Sequence, residues 1–132
     1  MICFSFICRK ILMIISEIEG KIWLDGAFCD WKEANIHVLT HTLHYGTGVF
    51  EGVRAYKTDT GTCIFRLQDH TERLFQSASL IGMDIPYSHE DLMSIQKESV
   101  KVNNLDNAYI RPICFYGNEG MGLRADNLKV HV

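Results

Sequence analysis

"VFEGVRAYKTDTGTCIFRL", residues 49 to 67, decides the fold. The run from Gly48 to Tyr56 reads as a strand, "TDTG" (58–61) as a turn, and "TCIFRL" (62–67) as the returning strand. Two strands joined this directly are antiparallel. Side chains alternate across a strand, so Phe50, Gly52, Arg54 and Tyr56 share one face, and Val49, Glu51, Val53 and Ala55 share the other. The first face combines two rings, a fixed cation and a glycine gap of the kind that admits a close approach. On this strand alone the plainer reading, a solvent-facing arginine beside two core-edge aromatics, has the edge over a binding surface.

Upstream, "KIWLDGAFCDW" (21–31) reads as two short strands joined by Asp25-Gly26, a two-residue hairpin signal. Downstream, "QDHTERLFQSASLIG" (68–82) reads as a helix. Asp69 is its expected N-cap, Glu72 completes a capping box, and Gly82 suits the stop. Leu74, Ala78 and Ile81 supply its buried stripe. "YSHEDLMSIQKESVKVNNL" (87–105) is a second helix, capped by Ser88, with Glu90 and Asp91 in the first turn where the helix dipole favours them. "NAYIRPICFYG" (107–117) is a further strand, and Pro112 within it implies an edge or a bulge. The order hairpin, short helix, hairpin, two helices, strand predicts an α+β layer with an antiparallel sheet packed on two main helices, not an alternating βαβ fold.

The strand around Pro112 repeats the first pattern, since Tyr109, Arg111, Ile113 and Phe115 share a face. Two such faces, each pairing a tyrosine and an arginine two residues apart, would if they met form an apolar pocket with fixed cations, suited to a small carboxylate bearing a hydrophobic side chain. Alternation alone does not show that they meet. Arg73, near the start of its helix, is either a solvated surface residue or an anion clamp. "GNEGMGLRADN" (117–127) departs from G-x-G-x-x-G and is weak as a phosphate loop. Its apolar Met121 and Leu123 hint that the tip packs against something.

"HVLTHTLHYGTG" (37–48) spaces His37, His41 and His44 as a helical metal face would. However, Thr40 is a plausible N-cap, and Gly46 and Gly48 stop the helix within one turn. Such a platform is poor for a metal, so the histidines read as packing and hydrogen-bonding residues around a sharp turn. No G-x-S-x-G and no cysteine with a positioned histidine is visible, which leaves nucleophilic catalysis without a candidate.

The 132 residues allow one domain with a core, and the 47% hydrophobic and 22% charged composition is that of an ordinary globular protein. With a net charge of −3 and no basic run, a nucleic-acid surface is not expected. Five scattered cysteines, an odd number without a C-x-x-C, argue against a disulfide framework and for a reducing, cytoplasmic setting. Cys63 and Cys114 fall in apolar runs and are expected to act as small hydrophobes. Arg9-Lys10 interrupts the apolar N-terminus, so no membrane span is expected there. Residues 1–13 read as an extension with the true start at Met13, and 14–132 as the domain. "NLKVHV" (127–132) stops in a strand-like run, as a piece of a longer chain would.

Three segments carry a family resemblance: "IWLDGAFCDWKEANIHVLTHTLHYGTGVFEGVRAY" (22–56), "FRLQDHTERLFQSASLIGMDIP" (65–86) and "NNLDNAYIRPICFYGNEGMG" (103–122). Together they resemble the N-terminal half of branched-chain amino-acid aminotransferases, pyridoxal-phosphate enzymes of fold type IV. "LHYGTGVFEGVRAY" and "AYIRP" followed by G-x-x-GMG set the resemblance apart from D-amino-acid aminotransferases and aminodeoxychorismate lyases, which share the fold. The resemblance implies that Arg73 holds the phosphate of pyridoxal 5'-phosphate and that Phe50 lines the pocket for the branched side chain. It implies that Tyr109 and Arg111 line the substrate site, where Arg111 meets the side-chain carboxylate of glutamate and Arg54 lies near it. Tyr45, Met121 and Leu123 are expected to reach the neighbouring subunit's active site, so the resemblance implies a homo-oligomer, a dimer or higher. The implied reaction is transamination of leucine, isoleucine and valine with 2-oxoglutarate and glutamate. The family's Schiff-base lysine is expected beyond residue 132, so these residues alone are expected to be inactive, with no catalytic residue among them. The alternatives are a non-catalytic binding or dimerisation domain, and another fold-type-IV enzyme such as a D-amino-acid aminotransferase.

Overall fold

The computed structural model describes residues 2–4 and 19–132. The expected start at Met13 lies outside the described residues. The element order is β1 (Ile2–Phe4), β2 (Lys21–Leu24), β3 (Ala27–Asp30), α1 (His41–Tyr45), β4 (Gly48–Phe50), β5 (Val53–Thr58) and β6 (Gly61–Ile64). It continues with α2 (Leu67–Leu80), α3 (His89–Val102), β7 (Ala108–Arg111), β8 (Ile113–Tyr116) and β9 (Val130–His131). Every described strand pairing is antiparallel. The sheets run β1-β7-β5-β6, β2-β3 and β4-β8-β9, giving the α+β class read from the sequence.

Local chemistry accounts for most boundaries. Asp25 and Gly26 both take positive φ, 49° and 106°, which is what a two-residue hairpin turn between twisted strands requires. The Ser88 hydroxyl accepts from the Asp91 N–H, and the Asp91 carboxylate accepts from the Ser88 N–H, so α3 opens on a complete capping box.

The strand expected over Gly48–Tyr56 is broken at Glu51-Gly52, and the strand opposite it is broken at Pro112. The break changes sheet but not register. Phe50 faces Ile113 before it and Val53 faces Ile110 after it, while the Glu51 N–H donates to the Pro112 carbonyl at 3.0 Å between them. Proline has no N–H to return, so the ladder opens there and the ribbon bends from one sheet into the other.

Three sequence expectations fail on packing. Helix α2 starts at Leu67, not after Asp69: Arg66 takes a left-handed φ of 48° to turn the hairpin into the helix, and Asp69 accepts from the Arg66 Nε. The earlier start buries Leu67 in a stripe with Thr71, Leu74 and Ala78. Ile81 is exposed because the helix has ended; the Met83 N–H returns to the Ala78 carbonyl past the left-handed Gly82, and Met83 is buried instead. Cys63 is exposed because β6 is a sheet edge whose outer face is open, whereas Cys114 on β8 is fully buried.

The core packs Leu74 and Ala78 of α2 and Leu92 and Val100 of α3 with Trp23, Val53, Ala55, Ala108, Ile110 and Cys114 from the strands. Between the helices, the buried Gln96 donates to the Thr71 hydroxyl at 3.1 Å, while its Oε1 has no partner among the described residues.

Candidate active site

The bent ribbon of β4–β5 against β8–β7 carries the candidate site. The alternation read from the sequence continues in phase through the break: Phe50, Arg54 and Tyr56 point out, and Glu51, Val53 and Ala55 are buried. On the facing strands Tyr109, Arg111 and Ile113 are half-buried between the buried Ala108, Ile110 and Pro112. Arg54 is the direct cross-strand partner of Tyr109. The Arg54-x-Tyr56 and Tyr109-x-Arg111 faces therefore meet as neighbours on one surface.

There the Arg111 guanidinium lies 4.3 Å from the centre of the Phe50 ring and 5.2 Å from that of Tyr109. Its Nη2 donates to the Tyr109 hydroxyl at 2.8 Å. A cation stacked on two rings and tied to a phenol is held in one orientation without being neutralised. Gly52 makes this possible. A Cβ at that position would stand 2.1 Å from the Tyr109 hydroxyl oxygen, so glycine is needed for close approach rather than for a special φ. The result is an exposed phenyl face beside an oriented cation, able to take an apolar group and a carboxylate side by side.

Arg73 does not join this group. From α2 it reaches Glu51, on the opposite face of the ribbon, with Nε donating at 2.5 Å and Nη2 at 2.8 Å. Glu51 is only 6% exposed, whereas the Arg73 side chain is 62% exposed. The Glu51 carboxylate also accepts from His70 Nδ1 at 2.9 Å. That bond puts the proton on Nδ1, so the 3.4 Å approach of Arg73 Nη2 to the same atom brings two donors together and is no hydrogen bond. The Arg73 hydrogen bonds hold the Glu51 carboxyl down to about 2 against the opposing effect of burial.

His41 links Tyr45 to the loop of Met121 and Leu123, through a ring contact with Tyr45 and a bond to the carbonyl of the intervening Gly122. His41 is buried, its ring 4.4 Å from that of Tyr45, with Nε2 bonded to the Gly122 carbonyl at 2.8 Å and Nδ1 to the Thr47 hydroxyl at 3.0 Å. Tyr45 closes the five-residue α1, which Gly46 ends at φ 68°. Thr40 is the N-cap residue, but its hydroxyl donates back to the His37 carbonyl rather than into the helix. Met121 and Leu123, 55% and 89% exposed, leave an apolar edge on the 117–127 loop. His37 Nδ1 accepts from the Leu39 N–H and His44 Nε2 donates to the Val38 carbonyl, so these imidazoles fasten the turn.

Glu51 and His70 were not singled out in the sequence. The signal was available for Glu51: a carboxylate on the inward face of a strand, between Val49, Val53 and Ala55, demands a cation partner.

A cavity of about 460 Å³ lies elsewhere, lined by Cys63, Leu67, Met93 and Lys97 among others, and shares no residue with these groups. Among the described residues, no helix is long and apolar enough to cross a membrane.

Residues 48–132 match the family model described as amino-transferase class IV. A branched-chain-amino-acid aminotransferase of Pseudomonas aeruginosa is 59% identical over 120 residues, covering 91% of this chain and 39% of that protein. A branched-chain aminotransferase of Thermoproteus uzoniensis, solved with norvaline, superposes with a TM-score of 0.82 at 41% identity, over 86% of this chain and 38% of that one. The branched-chain amino acid aminotransferase of Escherichia coli superposes with a TM-score of 0.83 at 37% identity, over 86% and 38%. The chain thus spans about two fifths of the length of the relatives it matches. On the strength of the family model and these relatives, the chain belongs to the class IV amino-transferase family.

Proposed function

We propose that these residues serve pyridoxal-phosphate-dependent transamination of branched-chain amino acids, with glutamate and 2-oxoglutarate as the other pair. The single observation that carries the reading is the Phe50–Arg111–Tyr109 group, whose apolar ring and oriented cation suit substrates that alternate between a branched side chain and a side-chain carboxylate. In this reading Phe50 lines the apolar pocket, Tyr109 orients Arg111, and Arg111 with Arg54 meets the carboxylate of glutamate. Arg73 holds the cofactor's phosphate. Its donor set fits that role: two of five N–H groups go to Glu51, and no acceptor among the described residues meets Nη1 of this exposed side chain. When bound, the cofactor supplies the electron sink for the amino-group exchange. The chain's own residues bind and orient, and none of them is assigned as the Schiff-base lysine. The exposed apolar edge of Tyr45, Met121 and Leu123 serves a second copy of the protein, in a cytoplasmic homo-oligomer.

The test uses the full-length protein, assayed with leucine, isoleucine, valine and D-alanine against 2-oxoglutarate. The expected result is turnover of the three branched L-amino acids and not of D-alanine, with a raised KM for glutamate in Arg111→Ala. Turnover of D-alanine alone would move the protein to another activity of this fold. Absence of any cofactor binding would favour a non-catalytic role.

A further inference from the structure

Among the described residues Glu51 is the one buried carboxylate. Burial of a carboxylate is costly unless a cation and further donors meet it, and Glu51 has both Arg73 and His70. The pair is lopsided. Glu51 sits at the bend of the ribbon, fixed by the backbone bond from its own N–H to Pro112, while the Arg73 side chain stands largely in solvent on α2. In such a pair the buried partner sets the geometry and the exposed partner receives it.

We infer that Glu51 is a positioning residue for Arg73: by gripping Nε and Nη2 together it turns the Nη1 edge of the guanidinium outward as a donor for a phosphate ester. His70 donates to Glu51 Oε2 from the preceding turn of α2 and fixes the rotation of the carboxylate. The Gly52 N–H approaches the same oxygen at 3.4 Å. The inference rests on the reading that Arg73 holds the cofactor's phosphate.

Charge and orientation make opposite demands here, which gives the test its power. On charge alone, Glu51 cancels Arg73 and repels an anion, so Glu51→Gln would tighten phosphate binding. If Glu51 orients Arg73, the same variant weakens it, because a freed arginine must be ordered anew by each anion it meets. A merely structural ion pair would lower thermal stability and leave anion affinity unchanged.

The experiment titrates the full-length apoprotein with pyridoxal phosphate, and separately measures competition by inorganic phosphate, in the wild type, Glu51→Gln, Arg73→Ala and the double variant. The expected result is a loss of cofactor and phosphate affinity of roughly tenfold in Glu51→Gln, the scale of one charge-assisted hydrogen bond. A larger loss is expected in Arg73→Ala, with no further loss in the double variant. Unchanged or tighter binding in Glu51→Gln, or additive losses in the double variant, overturns the inference. Weakened binding in Arg73→Ala with none in Glu51→Gln overturns it while leaving Arg73 as the phosphate ligand. No effect in Arg73→Ala overturns both. Should Glu51→Gln not fold, Glu51→Asp keeps the charge but shortens the reach to Nε and Nη2, and wild-type affinity in that variant overturns the inference equally.

Discussion

Replacing Gly52 by alanine tests the ribbon face directly. A Cβ there would lie 2.1 Å from the Tyr109 hydroxyl oxygen, 2.8 Å from Cζ and 3.2 Å from Cε2. Ordinary contact begins at 3.4 Å, so the hydroxyl has to retreat by about 1.3 Å, and the stiff ring moves with it. That retreat stretches the 2.8 Å bond from Arg111 beyond reach unless Arg111 follows, and following lifts the guanidinium off the Phe50 ring. Overpacking of this kind costs about 1–3 kcal/mol, and the stiffer unfolded chain returns about 0.4–1 kcal/mol, since the backbone at Gly52 suits any residue. The net destabilisation is therefore about 0.5–2 kcal/mol, read as a modest drop in urea midpoint. The effect on the site is expected to be larger than the effect on the fold: KM for glutamate rises while KM for leucine changes little. Gly61→Ala is the control. That site is open, but its φ of 123° strains alanine, so stability falls while both KM values hold. A Gly52→Ala protein with wild-type KM for glutamate and an unmoved Tyr109 in its crystal structure would refute the reasoning.

Three further outcomes follow from the structure. The folded Glu51 carboxyl titrates near 2, below its ordinary 4.5, so its stabilisation is present above pH 4.5 and is lost as pH falls through 2; urea midpoints of wild type and Glu51→Gln should converge over that window. Solvent around the exposed Arg73 screens the pair and keeps this contribution well below the full linkage value. Ser88→Ala removes the hydroxyl half of the α3 capping box, leaving the backbone bond from residue 88 to the Asp91 carboxylate, and should cost about 1 kcal/mol in denaturant unfolding, with exchange of the first-turn amides accelerated. Burial pushes the Cys114 thiol up to about 12, so in the native protein alkylation followed by mass mapping should modify Cys63 and spare Cys114 until the chain unfolds.

Where the sequence carried the answer, the determinant was local. Asp25-Gly26 and the Ser88 cap act over two to four residues, and the structure uses both as read, with Asp91 adding the reciprocal half of a capping box. Alternation in "VFEGVRAY" and "AYIRPICF" matches the burial of residues 50–56 and 108–114, even though the strand was expected to be continuous, but it fails at Phe115, which was read with Tyr109 and Arg111 and is buried. The failures needed a neighbour. Asp69 had the chemistry of a cap, but the helix starts two residues earlier and buries Leu67. Ile81 continued the helical stripe, but Gly82 turned the chain and Met83 took its place. Cys63 looked interior because its strand is apolar, and only the strand order makes that strand an edge. The site divides the same way. Phe50, Arg54, Tyr109 and Arg111 were legible as two faces, and their meeting depended on which strands pair. Arg73 was legible as a cation but not as a tethered one.

The bent ribbon also sets an order of assembly. The turns at Asp25-Gly26 and Asp59-Thr60 bring together residues only a few positions apart, as does the first turn of each helix. Val53 and Ile110 are nearly sixty positions apart, and both helices lie between them. Closing so long a loop forfeits chain entropy before any contact repays it, so local hairpins and helices form early and the ribbon closes late. The Phe50–Arg111 stack is made across that seam, and no fragment formed earlier contains both halves of it. A nascent chain passing through its intermediates thus has no binding face to offer, and the capacity to hold a substrate arrives together with the completed fold.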